Sequence, residues 1–320
     1  MKAHYFHWTD PLRLGIQGCA LTIGNFDGVH LGHQALLAEL RCQADALSRP
    51  AVVLTFDPHP RDLLMTTTPP PLLTTMDYRA DLLQMAGANH VLVLHTTHDL
   101  LELRAKEFFD VVIRDKIQPK AIVPGFNFGF GKNREGDINT LKAYCDEAGM
   151  KFDLVQPLQM ADLPVSSSRI RGALGKGDVR TAWNLLGRTY RLSGKVCVGQ
   201  RRGNTIGFPT ANLDEVQTMI PGVGVYAVRA VVKGASWAGA ANIGPNPTFG
   251  EDALKIEIHI IGFDGDIYGE TIEIDFLDKL RDTRPFSGVE ELKAQLNQDV
   301  ALAQKVFDGE VSSADLRSEP

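Results

Sequence analysis

The sequence predicts an α/β protein, with a Rossmann-like parallel-sheet domain followed by a small antiparallel β-barrel domain and a C-terminal helix. Short apolar runs alternate with helical patterns through the first half of the 320-residue chain, which is typical of a parallel sheet with crossover helices. After about residue 185, short β-rich segments are separated by Gly, Pro and Asn turns, which favours a small barrel or sandwich. The length itself suggests two domains, since about 150 residues per domain is usual.

The first half contains five predicted strands, because each is a short apolar run of the kind found in sheets covered on both faces. They are segments 20–23, 51–56, 90–94, 121–123 and 152–155. Between the first two strands, apolar residues from Leu36 to Leu47 fall on one face of a helix. Segments 104–116 and 139–148 carry a similar helical periodicity. Strands and helices that alternate in this way predict three layers.

The second half contains six predicted strands and one helix. The strands are segments 190–198, 210–213, 225–232, 237–243, 254–261 and 270–276, and the helix has one apolar side between residues 289 and 303. A helical stretch ends at Leu186, just before the β-rich part begins. We therefore predict a first domain over 1–186, a barrel domain over 187–310 and a frayed tail over 311–320.

Charge and composition exclude several classes of protein. The formal net charge is −6, from 33 Lys and Arg against 39 Asp and Glu, so no broad basic surface is offered to nucleic acid or to an anionic membrane. No stretch approaches the roughly 20 apolar residues of a membrane helix. The four cysteines are far apart in sequence, as in proteins of reducing compartments. We expect a soluble, cytoplasmic protein that acts on small molecules, and self-association is left open.

The turn between the first strand and the first helix carries the strongest chemical signal. A parallel sheet opens its ligand crevice at such a turn, and a helix N-terminus favours an anion. His30 and His33, three residues apart, can point to the same side and donate hydrogen bonds to phosphates. Gly24, Gly28 and Gly32 would let a phosphate chain approach the backbone closely. The pattern indicates stabilisation of a transferring phosphoryl or nucleotidyl group.

Two other interpretations of these histidines are open. A single histidine near a helix start is usually a surface residue or a cap. Histidines at positions i and i+3 can also chelate a metal, with His59 as a third ligand, although no Cys or carboxylate has partner spacing. The combination of glycines and histidines at a strand-to-helix turn favours the phosphate interpretation over both.

Three more features of the first half suit a nucleotide site, and each has a plainer alternative. His59 lies just beyond the end of a strand, but its flanking prolines equally suit an ordinary turn. Asn127 and Phe128 can contact a phosphate and a flat ring, or belong to a turn and the core. Three serines ahead of Arg171 predict a capped helix that suits a triphosphate, or simply a capped helix.

A glycine-rich loop marks the barrel domain. Gly199, Gly203 and Gly207 suggest a backbone that bends around a nucleotide phosphate tail. Thr210 and Asn212, two residues apart on a strand, share a face and supply neutral oxygens suited to Mg²⁺ and phosphates. The alternative is a hairpin loop, which is at least as compatible with the spacing alone.

The chain resembles the bacterial bifunctional riboflavin kinase/FAD synthetase family over nearly its whole length. FDGVHLGH at 26–33 is similar to the HxGH signature of nucleotidyltransferases. The match continues with TFDPHP at 55–60, GFNFGFGK at 125–132, REGD at 134–137 and SSSRIR at 166–171. FPTAN at 208–212 is similar to the riboflavin kinase PTAN motif, and segments 221–226, 241–249, 255–259 and 264–269 extend the match in the family's order.

The resemblance implies two reactions. The barrel domain would transfer the γ-phosphate of ATP to riboflavin, giving FMN, and the Rossmann-like domain would transfer AMP from a second ATP to FMN, giving FAD and pyrophosphate. Glu257 would be the base for the ribityl 5′-hydroxyl, with His30 and His33 stabilising the second transition state, and Thr210 and Asn212 binding Mg²⁺. The implied nucleotide or phosphate contacts are Gly24, Phe26, Asp27, Gly32, Asn127, Ser167, Ser168, Arg171, Gly199, Gly203, Gly207, Thr210 and Asn212, and the implied flavin contacts are His59, Phe128, Arg281 and Phe286.

One segment departs from the family pattern. Where the family has LRxE, this chain has LRDTRPF at 280–286, with Thr283 in place of the Glu. The departure concerns flavin contact, not the reaction. Two alternative functions fit the same sequence. One is another HxGH nucleotidyltransferase with an unrelated barrel, and the other is a flavin carrier without turnover. The presence of His33, Asn212 and Glu257 argues against the carrier.

Overall fold

The computed structural model describes residues 3–64, 68–198, 207–246 and 251–309. By their contacts these residues divide into two compact units. The first unit is drawn from residues 1–70 and 74–166, and the second from residues 71–73 and 167–320. The helical segments between residues 167 and 186 are thus grouped with the second unit, while the functional boundary at residue 187 stays a prediction. The predicted tail, 311–320, lies outside the described residues.

The first unit contains a six-stranded parallel sheet with the order β1-β4-β3-β2-β5-β6. Its strands are β1 His4–Phe6, β2 Ala20–Ile23, β3 Ala51–Asp57, β4 His90–His95, β5 Ala121–Ile122 and β6 Lys151–Phe152. The predicted parallel sheet is confirmed, and the five predicted strands are present. The sixth, β1, was not predicted, because three residues of mixed exposure at a sheet edge show no apolar run.

Helices cover both faces of this sheet. They are α1 Leu31–Leu47, α2 Pro60–Leu64, α3 Met76–Met85, α4 His98–Glu102, α5 Ala105–Phe108 and α6 Ile138–Glu147, with a π-helix over Phe109–Ile117, a 3₁₀ turn over Lys132–Arg134 and a small hairpin of β7 Gln159–Met160 and β8 Leu163–Pro164. On one face, Leu37 and Leu40 of α1 and Leu83 of α3 pack with the strands, and on the other face Ile113 of the π-helix and Leu141 of α6 do so. The first unit therefore has three layers.

The strand order creates a ligand crevice at one edge of the sheet. Strand β2 pairs with β3 on one side and with β5 on the other. After β2, the chain therefore adds β3 and β4 on one side of β2 and then β5 and β6 on the opposite side. In open parallel sheets, ligands bind at such a switch point, beyond the carboxyl ends of the strands. The turns after β2, β3 and β5 all leave the sheet at this edge.

The second unit is a closed six-stranded antiparallel barrel with accompanying helices. The barrel order is β10-β13-β12-β11-β14-β9. The strands are β9 Tyr190–Cys197, β10 Ala211–Asp214, β11 Gly224–Val232, β12 Ala235–Asn246, β13 Glu251–Ile260 and β14 Thr271–Arg281, and the helices are α7 Ser167–Gly175, α8 Val179–Leu186 and α9 Val289–Asp308. The predicted barrel and C-terminal helix are confirmed.

Alternation along the strands separates the inside of the barrel from its outside. The rings of Tyr190, Tyr226 and Phe276 contact one another in the interior. On the outside, Ala303 of α9 packs with Ala227 and Leu277. No helix within the described ranges is both long and apolar enough to cross a membrane.

Candidate active sites

The turn after β2, residues 24–33, is held in an uncommon backbone conformation, and we call it the histidine turn. Phe26 and Val29 have positive φ angles of 52° and 38°, a region that is rarely adopted by residues other than glycine and is costly for a β-branched side chain. The turn closes on itself, because the N–H of Val29 donates to the carbonyl oxygen of Phe26 at 3.0 Å. The chain then enters α1 directly.

His30 and His33 lie against each other at the start of α1. His30 is the N-cap, and its Nδ1 accepts a hydrogen bond from the backbone N–H of His33 at 3.3 Å. The two imidazoles stack with centroids 3.7 Å apart and planes 15° apart, and the ring of Phe26 meets His33 edge-on at 5.2 Å. The capping interpretation of His30 is therefore correct, and the pair is also brought together at the switch point.

Gly32 allows this stacking. A Cβ atom at that position would lie 3.2 Å from Cε1 and Nδ1 of His30, which is closer than side-chain atoms normally approach. A larger residue would displace the imidazole of His30. The glycine thus shapes the histidine pair, and its contact with a phosphate stays a prediction.

His33 is neutral at pH 7. Burial, followed by the nearby His30 and Arg79, holds its pKa well below the ordinary value of 6.5. Its Nδ1 is buried and has no hydrogen-bond partner among the described residues. A neutral imidazole donates through one nitrogen only, so the pair suits directed hydrogen bonding more than charge neutralisation.

Two other residues of the histidine turn have informative surroundings. Asp27, predicted to contact a nucleotide, is only 4% exposed, and its carboxylate accepts hydrogen bonds from Thr74 and Arg79. Asn25 was not predicted, although it stands between two predicted residues. Its Oδ1 is buried and without a hydrogen-bond partner in the described part of the chain, so it is an acceptor that the surrounding protein does not use.

The turns after β3 and β5 supply the other predicted residues of this edge. His59 follows a cis Asp57–Pro58 peptide. Burial, the largest effect, lowers the pKa of His59; the charges of Arg61 and Arg79 lower it further, whereas Asp62 and Asp27 oppose the shift. Asn127 is exposed in a turn, with its carbonyl oxygen bound by Nη2 of Arg134 at 3.1 Å. The switch point thus gathers three predicted turns at one edge.

The neighbouring aromatic residues divide between surface and core. Phe126 is 44% exposed. Phe128 is half-buried against the core and stacks on the buried Phe130, with ring centroids 5.5 Å apart. The core interpretation therefore fits Phe130, while the flavin contact of Phe128 stays a prediction.

The predicted serine and arginine contacts belong to the second unit. α7 begins at Ser167, with Ser168 exposed in its first turn. Nε of Arg171 donates to the carbonyl oxygen of Pro71 at 2.7 Å, within the same unit. The helix start predicted from the serines is confirmed, and their phosphate contacts stay predictions.

The register of the barrel brings three polar residues into one row across adjacent strands. Glu257 of β13 is paired directly with Asn212 of β10 on one side and with Asn242 of β12 on the other. Directly paired residues have side chains on the same face, with Cβ atoms about 4.5–5.5 Å apart. We call Asn212, Glu257 and Asn242 the barrel row.

The barrel row lies on the outer face of the barrel. Ile256 and Ile258, which flank Glu257, are buried, whereas Glu257 itself is half-buried. Successive side chains of a strand point to opposite faces, so Glu257 faces away from the two isoleucines. Just before β10, the carbonyl oxygen of Pro209 lies 2.8 Å from Nδ1 of His259. This contact places the segment that holds Thr210 beside the same face.

Asn242 was missed by the sequence reasoning. It stands in a motif that carries the family resemblance, but a lone asparagine in a β-rich segment gives no sign of which residue it faces. Only the register of β12 against β13 shows it beside Glu257.

Arg281 and Phe286, the predicted flavin contacts, lie near each other, and the guanidinium carbon of Arg281 is 5.7 Å from the ring centroid. The guanidinium of Arg281 also donates to both carboxylate oxygens of Asp299 in α9, with Nη2 to Oδ2 at 2.7 Å. Its guanidinium therefore anchors the helix to β14, and a flavin contact would have to use the remaining surface. Gly199 and Gly203 lie outside the described residues, while Gly207 has a φ of 88°.

Comparisons with known proteins agree with the two units. A FAD synthetase family model matches residues 15–169, and a riboflavin kinase family model matches residues 186–307. The chain is 38% identical to a bifunctional riboflavin kinase/FMN adenylyltransferase of Pseudomonas fluorescens, over 92% of this chain and 94% of the relative. It is 36% identical to the protein of that name from Bacillus subtilis, over 90% and 92% of the two chains.

A solved structure has the same fold over nearly the whole chain. It is described as a macrolide-efflux protein from Streptococcus pneumoniae, and it is 32% identical to this chain with a TM-score of 0.85. The match covers 94% of this chain and 98% of the other.

Proposed function

This chain belongs to the family of bifunctional riboflavin kinase/FMN adenylyltransferases, and on that premise we propose that it makes FAD from riboflavin in two steps. Residues 187–310 phosphorylate riboflavin with ATP, and residues 1–186 adenylylate the resulting FMN with a second ATP. The observation that carries the proposal is one polar constellation in each unit, the histidine pair and the barrel row. We assign the reactions to residues 1–186 and 187–310.

In adenylylation, a phosphate oxygen of FMN attacks the α-phosphorus of ATP, and pyrophosphate leaves. Negative charge shifts onto the non-bridging and leaving oxygens, so groups that donate hydrogen bonds there lower the barrier. His30 and His33 stand where the strand ends and α1 begins, and they are the donors we assign to this task. The helix N-terminus adds favourable electrostatics.

In phosphorylation, the 5′-hydroxyl of the ribityl chain attacks the γ-phosphorus of ATP. We assign Glu257 as the base that accepts the hydroxyl proton. Asn212 and Asn242, one on each side of Glu257, are amides that can both donate and accept, and they suit binding of phosphate and hydroxyl groups.

The barrel row fits a magnesium ion held mainly by the nucleotide. Mg²⁺ prefers oxygen ligands and usually takes one or two protein groups, with phosphates and waters completing its shell. Thr210 and Asn212 supply such oxygens, and within the described ranges no group of three or more His, Cys, Asp or Glu residues forms a metal cage. When bound, the ion would neutralise charge on the transferring phosphate.

The test is product analysis of the purified protein with riboflavin, ATP and Mg²⁺. The wild type is expected to yield FMN and FAD. Absence of any flavin product would instead support another nucleotidyltransferase, and riboflavin that is bound but unreacted would support a carrier. Either of those results would contradict the proposal.

Two variants separate the reactions. His33→Ala is expected to lower FAD formation by about 100-fold or more while FMN formation continues, because a donor to the transition state is lost. Glu257→Gln is expected to lower FMN formation by about 100-fold or more while added FMN is still adenylated, because the base is lost. Loss of both activities in either variant would overturn the assignment of one reaction to each unit.

We also propose that the protein works in the cytoplasm. Its four cysteines are unpaired, which suits a reducing compartment. Small-molecule substrates are sufficient for both reactions, and no nucleic acid is required by either.

A further inference from the structure

A buried ion pair lies beneath the histidine turn. Nη2 of Arg79, in α3, is 3.2 Å from Oδ1 of Asp27, and the two side chains are 3% and 5% exposed. Charged side chains are rarely buried to this extent unless they are paired and hydrogen-bonded. The two residues are 52 positions apart in sequence, so the pair ties the histidine turn to a distant helix.

The guanidinium of Arg79 donates to four acceptor atoms on three residues around this turn. Nη1 donates to the carbonyl oxygen of Asn25 at 3.0 Å, and Nη2 donates to Asp27 and to the carbonyl oxygen of Thr74. Nε donates to the hydroxyl oxygen of Thr74 at 3.2 Å. Because these donors point into the protein, Arg79 acts on the turn itself.

Thr74 extends the same network to the middle of the turn. Its N–H and its hydroxyl both donate to Oδ1 of Asp27 at 3.1 Å. Its hydroxyl oxygen also accepts from the N–H of Gly28 at 3.2 Å. Asn25, Asp27 and Gly28 are thus held at successive points along the segment that leads to the histidine pair.

The histidine turn needs external support, because its conformation is strained. Positive φ angles at Phe26 and Val29 are sterically unfavourable for residues other than glycine and persist only where surrounding contacts impose them. His30 follows Val29 directly and caps α1. Relaxation of the turn would therefore move His30 and change its stacking on His33.

We propose that Arg79 is a positioning residue for adenylyl transfer, which through Asp27 and Thr74 holds the histidine turn in the shape that places His30 and His33 against the reacting phosphates. The inference rests on the proposed function of the first unit. Arg79 touches neither substrate in this assignment, so its removal should slow the chemical step more than it weakens binding.

The experiment compares Arg79→Met, Arg79→Lys and the matched control Arg41→Met, in which an exposed helix arginine of the same unit is replaced. The turnover number and KM of FAD formation from FMN and ATP are measured, and each rate is divided by the number of ATP sites that calorimetry finds beyond those of the second unit. Riboflavin phosphorylation in the same preparation reports on the second unit.

In Arg79→Met the turnover number is expected to fall about 100-fold, the loss associated with misplacement of reacting groups by about 1 Å, with both KM values within about threefold of wild type. Arg79→Lys should restore part of the rate, because an ammonium restores the charge, but its three donors on one atom cannot reproduce the four hydrogen bonds of the planar guanidinium. Arg41→Met should match the wild type. A purely structural role would reduce the number of sites and leave the turnover number per site unchanged.

A milder variant decides the question if Arg79→Met does not fold. Thr74→Val keeps the shape and the ion pair but removes the hydroxyl, and it should lower the turnover number about 10-fold. Wild-type turnover per site in Thr74→Val, or in a folded Arg79→Met, would overturn the inference. Absence of FAD formation by the wild type would instead overturn the proposed function.

Discussion

At the scale of single residues, the histidine pair combines a structural role with the chemical role that we propose for it. His30 caps α1 through Nδ1 and stacks on His33, so the same ring both starts the helix and crowds its partner. That crowding contributes to the low pKa of His33, after burial. A histidine that stays neutral in the folded protein and is protonated in the unfolded chain makes stability depend on pH.

The sign of this dependence follows from proton uptake. Because the folded-state pKa of His33 is below its unfolded value, the unfolded chain binds more protons as the pH falls below about 6.5. We expect the first unit to lose stability between pH 7 and pH 5, and His33→Asn to lose less than the wild type. Hydrogen exchange of the β2 and β3 amides measures this. Replacement of the exposed His98 by Asn is the control, and equal pH slopes in His33→Asn and wild type would contradict the prediction.

At the scale of elements, α9 is fixed to the barrel by apolar packing and by one ion pair. Ala303 packs with Ala227 and Leu277, while Asp299, only 3% exposed, binds Arg281 at the end of β14 through two oxygens. The sequence suggested Arg281 as a flavin contact. In the structure, the guanidinium of Arg281 is bound to Asp299 of α9.

Removal of this ion pair should loosen the helix. Asp299→Asn leaves the guanidinium of Arg281 without its counter-charge, and we expect a loss of about 1–3 kcal/mol in the free energy of unfolding of the second unit, since breaking a buried pair is costly and Arg281 is partly exposed. Urea denaturation measures the loss. Glu290→Gln, which removes an exposed charge from the same helix, should change stability by less than about 0.5 kcal/mol. A loss as large in the control would count against the prediction.

At the scale of the whole molecule, the two proposed reactions share an intermediate but not residues. His33 belongs to the first unit and Glu257 to the second. On the proposed assignment, FMN that forms beside Glu257 is adenylylated beside His33, within one chain or between chains.

Mixing of single variants tests this separation. Neither His33→Ala nor Glu257→Gln should form appreciable FAD from riboflavin alone, but an equimolar mixture should, because FMN from the first variant is adenylylated by the second. The rate of FAD formation is followed by chromatography, and wild type at half the concentration is the reference. A mixture as inactive as its components would show that the two reactions need both residues in one chain.

The sequence by itself determined most of the elements of both units. The apolar runs of the first half reflect strands that are buried on both faces. The alternation of Glu257 with its isoleucine neighbours reflects the two-residue period of a strand, and the apolar face of α1 reflects the helical period. Because burial of one face constrains consecutive residues of each element, the pattern can be recognised in a short stretch of sequence. The turn motif with His30 and His33 was visible because its glycines and histidines are close together in the sequence.

Only the tertiary structure decided which distant residues support these motifs. β1 gave no signal, because a three-residue edge strand gains its pairing from β4. Asn242 stands beside Glu257 through strand register, and Arg79 and Thr74 reach Asp27 across about fifty residues of chain. Such contacts depend on strand order and on how loops pack together. They arise from the balance of many non-local interactions, which no single stretch of sequence contains.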